Sequence, residues 1–223
     1  MDPVAFTAAV SAFQPDAGPA LQPVRFGPGQ GVASLAALRR RQNDEQGDNS
    51  LVLEDDALEI SAAIVAVADG EDLVAALRIH AADTPQLRRE LGALLHLERF
   101  AGSWSPESIV VGSRLAVLAD YRTRPAIDLL MRDTYRLVRD SDVRFGLISC
   151  APELHDLFAF YGFREYLPPA ILPGGTATLR MALVCEYLPD LSTSDSPLVD
   201  LVRQPEIGEA AHAWLAQAFP MLG

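Results

Sequence analysis

The sequence predicts a mixed α/β fold in which one central sheet is covered by helices. Its 223 residues, 49 % of them hydrophobic, are enough to bury one sizeable core. Apolar runs rich in β-branched residues alternate along the chain with helical patterns. The predicted order is helix, two strands, helix, strand, helix, strand, helix, strand, which is typical of a sheet flanked by helices.

Charge and composition exclude several classes of function. The formal net charge of -12 argues against nucleic acid or an anionic membrane as the main partner, because both would be repelled over most of the surface. All 18 basic residues are arginine, so no lysine is present to form a Schiff base.

The cysteines and histidines predict neither a disulfide nor a metal site. Cys150 and Cys185 lie in apolar runs, which favours buried thiols and a reducing cytoplasm. His80, His96 and His212 are scattered without the spacing of metal ligands. No positively charged stretch precedes the first apolar residues, and no apolar run approaches the roughly 18 residues of a membrane span. We therefore expect a cytoplasmic protein without a membrane span.

The first part of the chain predicts an arm, a helix and a hairpin. Residues 1–31 are rich in Pro, Gly and Ala and indicate a loose N-terminal arm. Residues 32–42 have a helical pattern with Leu35 and Leu38 on one side. Two apolar runs then flank Asp69-Gly70, a strong turn signal, and predict an antiparallel hairpin.

The remaining chain alternates helices and strands and ends in a separate helix. Residues 84–100 predict a helix, and the later elements are a strand at 108–118, a helix at 124–141, a strand at 143–151, a helix at 152–162 and a strand at 177–188. The main domain then spans 32–187, and 188–223 form a linker and an amphipathic helix. That helix either caps the domain or contacts a second subunit, which leaves a homodimer open.

Two segments resemble the paired signature of GNAT-fold N-acyltransferases. They are "SRLAVLADYRTRPAIDLLM" (113–131) and "LHDLFAFYGFREY" (154–166). Positions that match the superfamily's loop, leucine pair and Gly-Phe element are Arg122, Leu129, Leu130, Gly162 and Phe163. The resemblance covers residues 32–187 and implies a twisted, mostly antiparallel sheet with one splayed parallel pair, flanked by helices.

A narrower resemblance is to acyl-homoserine-lactone synthases and long-chain N-acyl amino acid synthases. The positions that carry it are Arg78, Phe100, Ser113, Arg114 and Val117. It implies transfer of an acyl group, of medium or long chain, from an acyl-carrier-protein or CoA thioester to an amine. The donor is a co-substrate and no cofactor is bound permanently; the acceptor is a small amine, an amino acid or a peptide.

The resemblance also implies roles for individual residues. The donor's pantetheine arm would pair with the strand at Leu115, Ala116 and Val117. Its phosphate would be anchored by Arg122 and Arg124 with the amides of Thr123, Ala126 and Ile127. Tyr161 would lie near the leaving sulfur. Of Ser113 and Arg114, neighbours on one strand, only one can face the cleft.

The departures from the family pattern bear on the donor and on catalysis. Thr123, Pro125 and Ile127 replace the loop glycines, and Pro125 has no N–H to offer a phosphate. We expect this loop to suit phosphopantetheine on an acyl carrier protein better than the pyrophosphate of CoA. Phe158 and Val111 stand where the family carries a tyrosine and a glutamate. Two alternatives therefore remain: an acetyl-CoA-dependent N-acetyltransferase, and a non-catalytic module that binds an acyl ligand or a protein.

Other candidate groups have ordinary structural explanations. Arg132, Arg136 and Arg139 share one helix face that would suit an acidic carrier protein, but nearby aspartates favour a balanced, solvated face. Cys150 and His155 are favoured as packing residues over a nucleophile and its base. Phe163 is favoured as core.

Overall fold

The computed structural model describes residues 21–46 and 57–220. Seven strands form one mixed sheet in the order β1-β2-β3-β4-β5-β7-β6. The strands are β1 (Gln22–Phe26), β2 (Ala63–Asp69), β3 (Asp72–Ala81), β4 (Ile109–Val117), β5 (Phe145–Cys150), β6 (Arg164–Ile171) and β7 (Ala177–Val184). The α-helices are α1 (Val32–Gln46), α2 (Ala57–Ser61), α3 (Pro85–Leu91), α4 (Leu97–Ala101), α5 (Arg124–Asp140), α6 (His155–Phe160), α7 (Leu188–Thr193) and α8 (Pro205–Ala218).

The fold class predicted from the sequence is confirmed. The β4–β5 pair is parallel, whereas the β1–β2, β2–β3, β5–β7 and β6–β7 pairs are antiparallel. Contacts divide the chain into two compact units. The first contains the described residues up to Ile79 together with 114–133, and the second contains 80–113 together with the chain from Thr134 onward.

The first unit is built on the predicted hairpin. Ala63 pairs with Ile79, and Asp69 pairs with Asp72 across the turn, where Gly70 adopts a φ of +61° that favours glycine. Helix α1 buries the predicted pair Leu35 and Leu38.

One expectation for this unit is wrong. Residues 22–26, assigned by composition to a loose arm, form edge strand β1 against β2, while residues 1–20 lie outside the described part. Val24 and Phe26 are half-buried. Arg25 between them is exposed and forms an ion pair with Asp133, with its Nη2 2.7 Å from Oδ1. The alternation in this short run is masked by the prolines and glycines around it.

The second unit contains a strand that the sequence did not reveal. β6 pairs with β7 at the edge of the sheet, and its register is interrupted around Pro168 and Pro169. Proline lacks the amide that a central strand needs, but an edge strand tolerates it. Because of these two prolines, the sequence pattern did not predict β6.

The predicted helix at 84–100 is divided into α3 and α4. His96 has a φ of +51°, which interrupts the helix. The carbonyl of Leu95 accepts a hydrogen bond from the buried Tyr166 hydroxyl at 2.8 Å, and that of Leu94 accepts one from Arg180 at 3.1 Å. Side chains of the sheet thus satisfy carbonyls between the two helices.

The C-terminal segment belongs to the core of the second unit. Trp214 and Phe219 pack around Phe100, with ring centroids 5.2 and 5.3 Å from it. Residues 188–193, assigned to a linker, form α7. The last helix thus caps the second unit, and its contact with a second subunit stays a prediction.

The described residues lack two kinds of feature, a membrane-spanning helix and a metal-binding cluster. No helix there has both the length and the apolar character needed to cross a bilayer. In the same residues, no three His, Cys, Asp or Glu side chains are grouped so that they could hold a metal ion.

Candidate functional site

Strand β4 is irregular in its second half. Its parallel ladder with β5 runs from Ile109–Phe145 to Gly112–Ile148, whereas β4 itself continues to Val117. Arg114 has a φ of +52°, the left-handed backbone conformation that marks bulges in strands. Such interruptions are over-represented next to active sites. The predicted pantetheine-binding residues, Leu115, Ala116 and Val117, follow directly.

Residues 118–127 lie in the first unit and lead from the end of β4 into the first turn of α5. The Leu118 amide donates to the carbonyl of Val74 at 3.0 Å, and a 3₁₀ turn follows at Ala119–Tyr121. The hydroxyl of Tyr121 donates to the carboxylate of Asp69 at the hairpin turn. This hydrogen bond is the largest cause of the raised pKa of Tyr121.

Arg122 lies back against the end of β4. Its Nε donates to the carbonyl of Val117 at 3.2 Å, and its Nη2 lies 4.0 Å from Oε2 of Glu45. The same Glu45 oxygen accepts the Ala119 amide at 2.9 Å. The Nη2 atom is buried and makes no hydrogen bond within the described part of the chain. The position of Arg122 after β4 was predictable from the sequence, but its carboxylate neighbour was not.

The start of α5 offers fewer amides than predicted. The Ile127 amide donates to the Thr123 carbonyl at 3.2 Å, which is the first hydrogen bond of the helix. This amide is therefore used within the helix, and its predicted phosphate contact stays a prediction. Arg124 forms an ion pair with Asp128 at 3.5 Å, one turn further along. Ala126 lies ahead of the helical ladder, and Pro125 has no amide.

The remaining predicted site residues, Ser113 and Tyr161, belong to the second unit. Tyr161 is buried, 1 % exposed, immediately before Gly162, whose φ is +90°. Phe158, at the position of the family tyrosine, packs edge-on against Phe163 at 5.4 Å, and both rings are buried. Val111, at the position of the family glutamate, is also buried. These two positions carry apolar core in place of acid or base.

A shallow pocket in the second unit was not foreseen. Its volume is about 430 Å³, and its lining includes His155, Phe160, Glu165 and Thr193. The His155 ring has Nδ1 2.8 Å from an Asp156 oxygen and Nε2 3.7 Å from a Glu165 oxygen. The acidic partners follow His155 by one and ten positions, a spacing that no sequence motif marks.

Arg139 of the arginine face and the Cys150 thiol both fit the structural explanations. Arg139 donates to the carbonyl of Leu201 at 2.9 Å and pairs with Asp140 at 2.7 Å, so its charge is used within the second unit. Burial, with a smaller effect from Glu165, raises the pKa of the Cys150 thiol to about 11. A thiol that is protonated at neutral pH is a poor nucleophile.

Comparisons by sequence find no match for this chain. No protein-family model matches the chain. A search of curated proteins likewise finds no match.

Solved structures, in contrast, are similar over most of the chain. The structure of BjaI, a CoA-dependent acyl-homoserine lactone synthase with SAM and isopentyl-CoA, has a TM-score of 0.61 at 17 % identity, covering 87 % of this chain and 100 % of that one. The structure of FeeM, an N-acyl amino acid synthase from uncultured soil microbes, has 0.58 at 14 %, covering 82 % and 97 %. The crystal structure of Escherichia coli ElaA has a TM-score of 0.54 at 16 % identity, covering 74 % of this chain and 99 % of that one. The GNAT-like fold is thereby shown.

Proposed function

We propose that this protein is an N-acyltransferase that moves an acyl group from a thioester to an amine. The observation that carries the proposal is the second half of β4, where the ladder with β5 has ended and Arg114 interrupts the strand. A strand extension of this kind supports pairing with an extended ligand such as pantetheine. Two proteins with the same fold support this class of reaction: BjaI, an acyl-homoserine lactone synthase, and FeeM, an N-acyl amino acid synthase.

In the reaction, the amine nitrogen attacks the thioester carbonyl carbon directly. A C–N bond forms, the C–S bond breaks, and the proton lost by nitrogen leaves the thiol neutral. The pantetheine arm lies along Leu115, Ala116 and Val117, and a backbone N–H of this strand holds the carbonyl oxygen as it becomes negative. Because Phe158 and Val111 supply no base, the amine enters neutral. Tyr161 is the proposed proton donor to the leaving sulfur, and the proton lost by nitrogen then restores the Tyr161 hydroxyl.

The groups around residues 118–127 favour a donor with one phosphate. Glu45, Asp69 and Asp128 all contact this segment through hydrogen bonds or ion pairs. Carboxylates so placed oppose additional phosphate charge. We therefore propose acyl carrier protein as the donor, with a medium or long acyl chain, and a small amine, amino acid or peptide as acceptor.

The test is an intact-mass assay with acyl carrier proteins loaded with chains from acetyl to stearoyl, and with the matching acyl-CoAs. Each donor is incubated with the protein and a pool of amines, and thioester loss is scored with and without the amines. We expect amine-dependent loss from long-chain carrier protein and the appearance of an amide of matching mass.

Two other results would reject this proposal in favour of a named alternative. Retained donor binding without thioester loss would identify a non-catalytic module, which the buried Phe158 and Val111 favour. Preferential consumption of acetyl-CoA would identify an N-acetyltransferase.

A further inference from the structure

Two donor groups of the first unit converge on one carboxylate oxygen. Oε2 of Glu45 accepts the Ala119 amide at 2.9 Å and lies 4.0 Å from Nη2 of Arg122. A backbone amide and a guanidinium that converge on one oxygen are the donors of an anion-binding site. The Glu45 carboxylate therefore occupies the position at which the Ala119 amide and the Arg122 guanidinium would bind an external oxyanion.

The carboxylate fills this position incompletely. Nη2 of Arg122 is buried and has no hydrogen bond to any residue that the structure describes, and its 4.0 Å distance to the Glu45 oxygen is too long for one. A buried donor without an acceptor is unfavourable. A phosphate group presents several strong acceptor oxygens and is wide enough to accept from both the amide and the guanidinium.

The helix that carries Glu45 gives no reason for an acid there. Glu45 lies one residue before the end of α1, and the last turn contains no basic residue. A negative charge at a helix C-terminus is opposed by the helix dipole. Its observed contacts with Ala119 and Arg122 supply the favourable interaction that the helix itself does not.

We propose that Glu45 occupies a phosphate subsite formed by Ala119 and Arg122, and that the phosphate of the donor displaces it. The inference deepens the proposed function, on which it rests, by naming the residue that selects the donor. After displacement, the Glu45 carboxylate stays near the bound phosphate and repels its charge. CoA carries a pyrophosphate and a further phosphate, so it is repelled more than phosphopantetheine, which carries one phosphate. Glu45 thus makes the site selective for the carrier-protein arm.

The experiment measures binding of two thiols without an acyl group, free 4′-phosphopantetheine and CoA, by titration calorimetry. Glu45→Gln retains an acceptor for the Ala119 amide but removes the charge. Asp44→Asn removes a charge from the neighbouring exposed residue and is the matched control. We expect Glu45→Gln to lower Kd about twofold to fivefold for phosphopantetheine, the scale of a partly exposed ion pair, and by a larger factor for CoA. Asp44→Asn should leave both ligands nearly unchanged.

Arg122→Gln, checked for folding by circular dichroism, should weaken both ligands. The inference is overturned if Glu45→Gln behaves like Asp44→Asn, or if it weakens binding. Because no acyl group is transferred, this result is independent of the thioester assay. Thioester loss by a protein whose Glu45→Gln variant binds both thiols unchanged rejects the inference alone, and the expected change in Kd without any thioester loss rejects the enzyme function alone.

Discussion

At the scale of single residues, Glu186 shows how one buried acid organises the second unit. Its carboxylate accepts the amides of Arg203 and Gln204, just ahead of α8, and its own amide donates to the Tyr135 hydroxyl at 3.0 Å. Gly208 of α8 lies against the backbone of Glu186 and Tyr187. This close approach fixes the start of the terminal helix where only a residue without a side chain fits.

Gly208→Ala should destabilise the protein. The added Cβ would lie 2.2 Å from the Glu186 carbonyl carbon and 2.4 Å from the Tyr187 nitrogen, and backbone cannot move aside as a flexible side chain can. We expect a loss of about 1–3 kcal/mol, measured by urea unfolding. Gly102→Ala is the control, because Gly102, which follows α4, has a φ of −75° that any residue can adopt, and its Cβ would meet nothing within 4 Å. Equal midpoints for the two variants would contradict the packing argument.

Tyr161→Phe tests the proposed proton donor. Both rings have the same shape, so the buried position should still fold, while loss of the hydroxyl removes the proton source near the sulfur. We expect the rate of thioester loss to fall about 10²-fold with the Kd for donor nearly unchanged. Tyr187→Phe, at a half-buried ring stacked on His212, is the control. An unchanged rate in Tyr161→Phe would remove this residue from the mechanism.

At the scale of elements, sequence periodicity was reliable where local pattern and tertiary role agree. Helix α1, the β2–β3 hairpin, β4 and α5 were predicted because their apolar spacing and turn signals are local. β6 was missed because Pro168 and Pro169 are unfavourable in a strand, and only its place at the sheet edge makes them acceptable. The position of β6 at the edge of the sheet, and not the strand propensity of its residues, allows this segment to form a strand.

The candidate site was predictable in position but not in its electrostatics. Arg122 and Arg124 could be placed between a strand and a helix from the sequence alone. Glu45 and Asp69, which contact the same segment, are 74 and 52 positions from the residues they bind. Such pairings depend on how α1 and the hairpin fold, and no local spacing encodes them.

Helix α8 contributes to the core through Trp214. Its ring lies 5.2 Å from Phe100, 5.5 Å from Phe145 and 5.8 Å from Trp104. Trp214→Ala should therefore lower the free energy of unfolding by about 3 kcal/mol, because a large aromatic is removed from a packed cluster. Gln217→Ala, on an exposed position of the same helix, should change it by less than about 0.5 kcal/mol. Similar losses in both would mean that α8 is held by its backbone contacts instead.

At the scale of the whole molecule, two buried thiols should make stability depend on alkaline pH. Burial, the largest cause, raises the pKa of Cys150 to about 11 and that of Cys185 to about 12. Cys185 packs in a small apolar cluster with Val138 and Val143. In the unfolded chain both thiols ionise near the ordinary value of 9.0.

The sign of the effect follows from which state loses its proton first. Between pH 9 and the folded pKa values of about 11 and 12, the unfolded chain has released the thiol protons while the folded protein retains them. The free energy of unfolding should therefore be level below about pH 8 and fall above pH 9, by at most about 1.4 kcal/mol per pH unit for each thiol. Urea titrations across this range measure the slope. Cys185→Ala should flatten it, whereas the cavity that this variant leaves lowers stability equally at every pH. Parallel curves for the two proteins would show that Cys185 does not contribute to the alkaline loss.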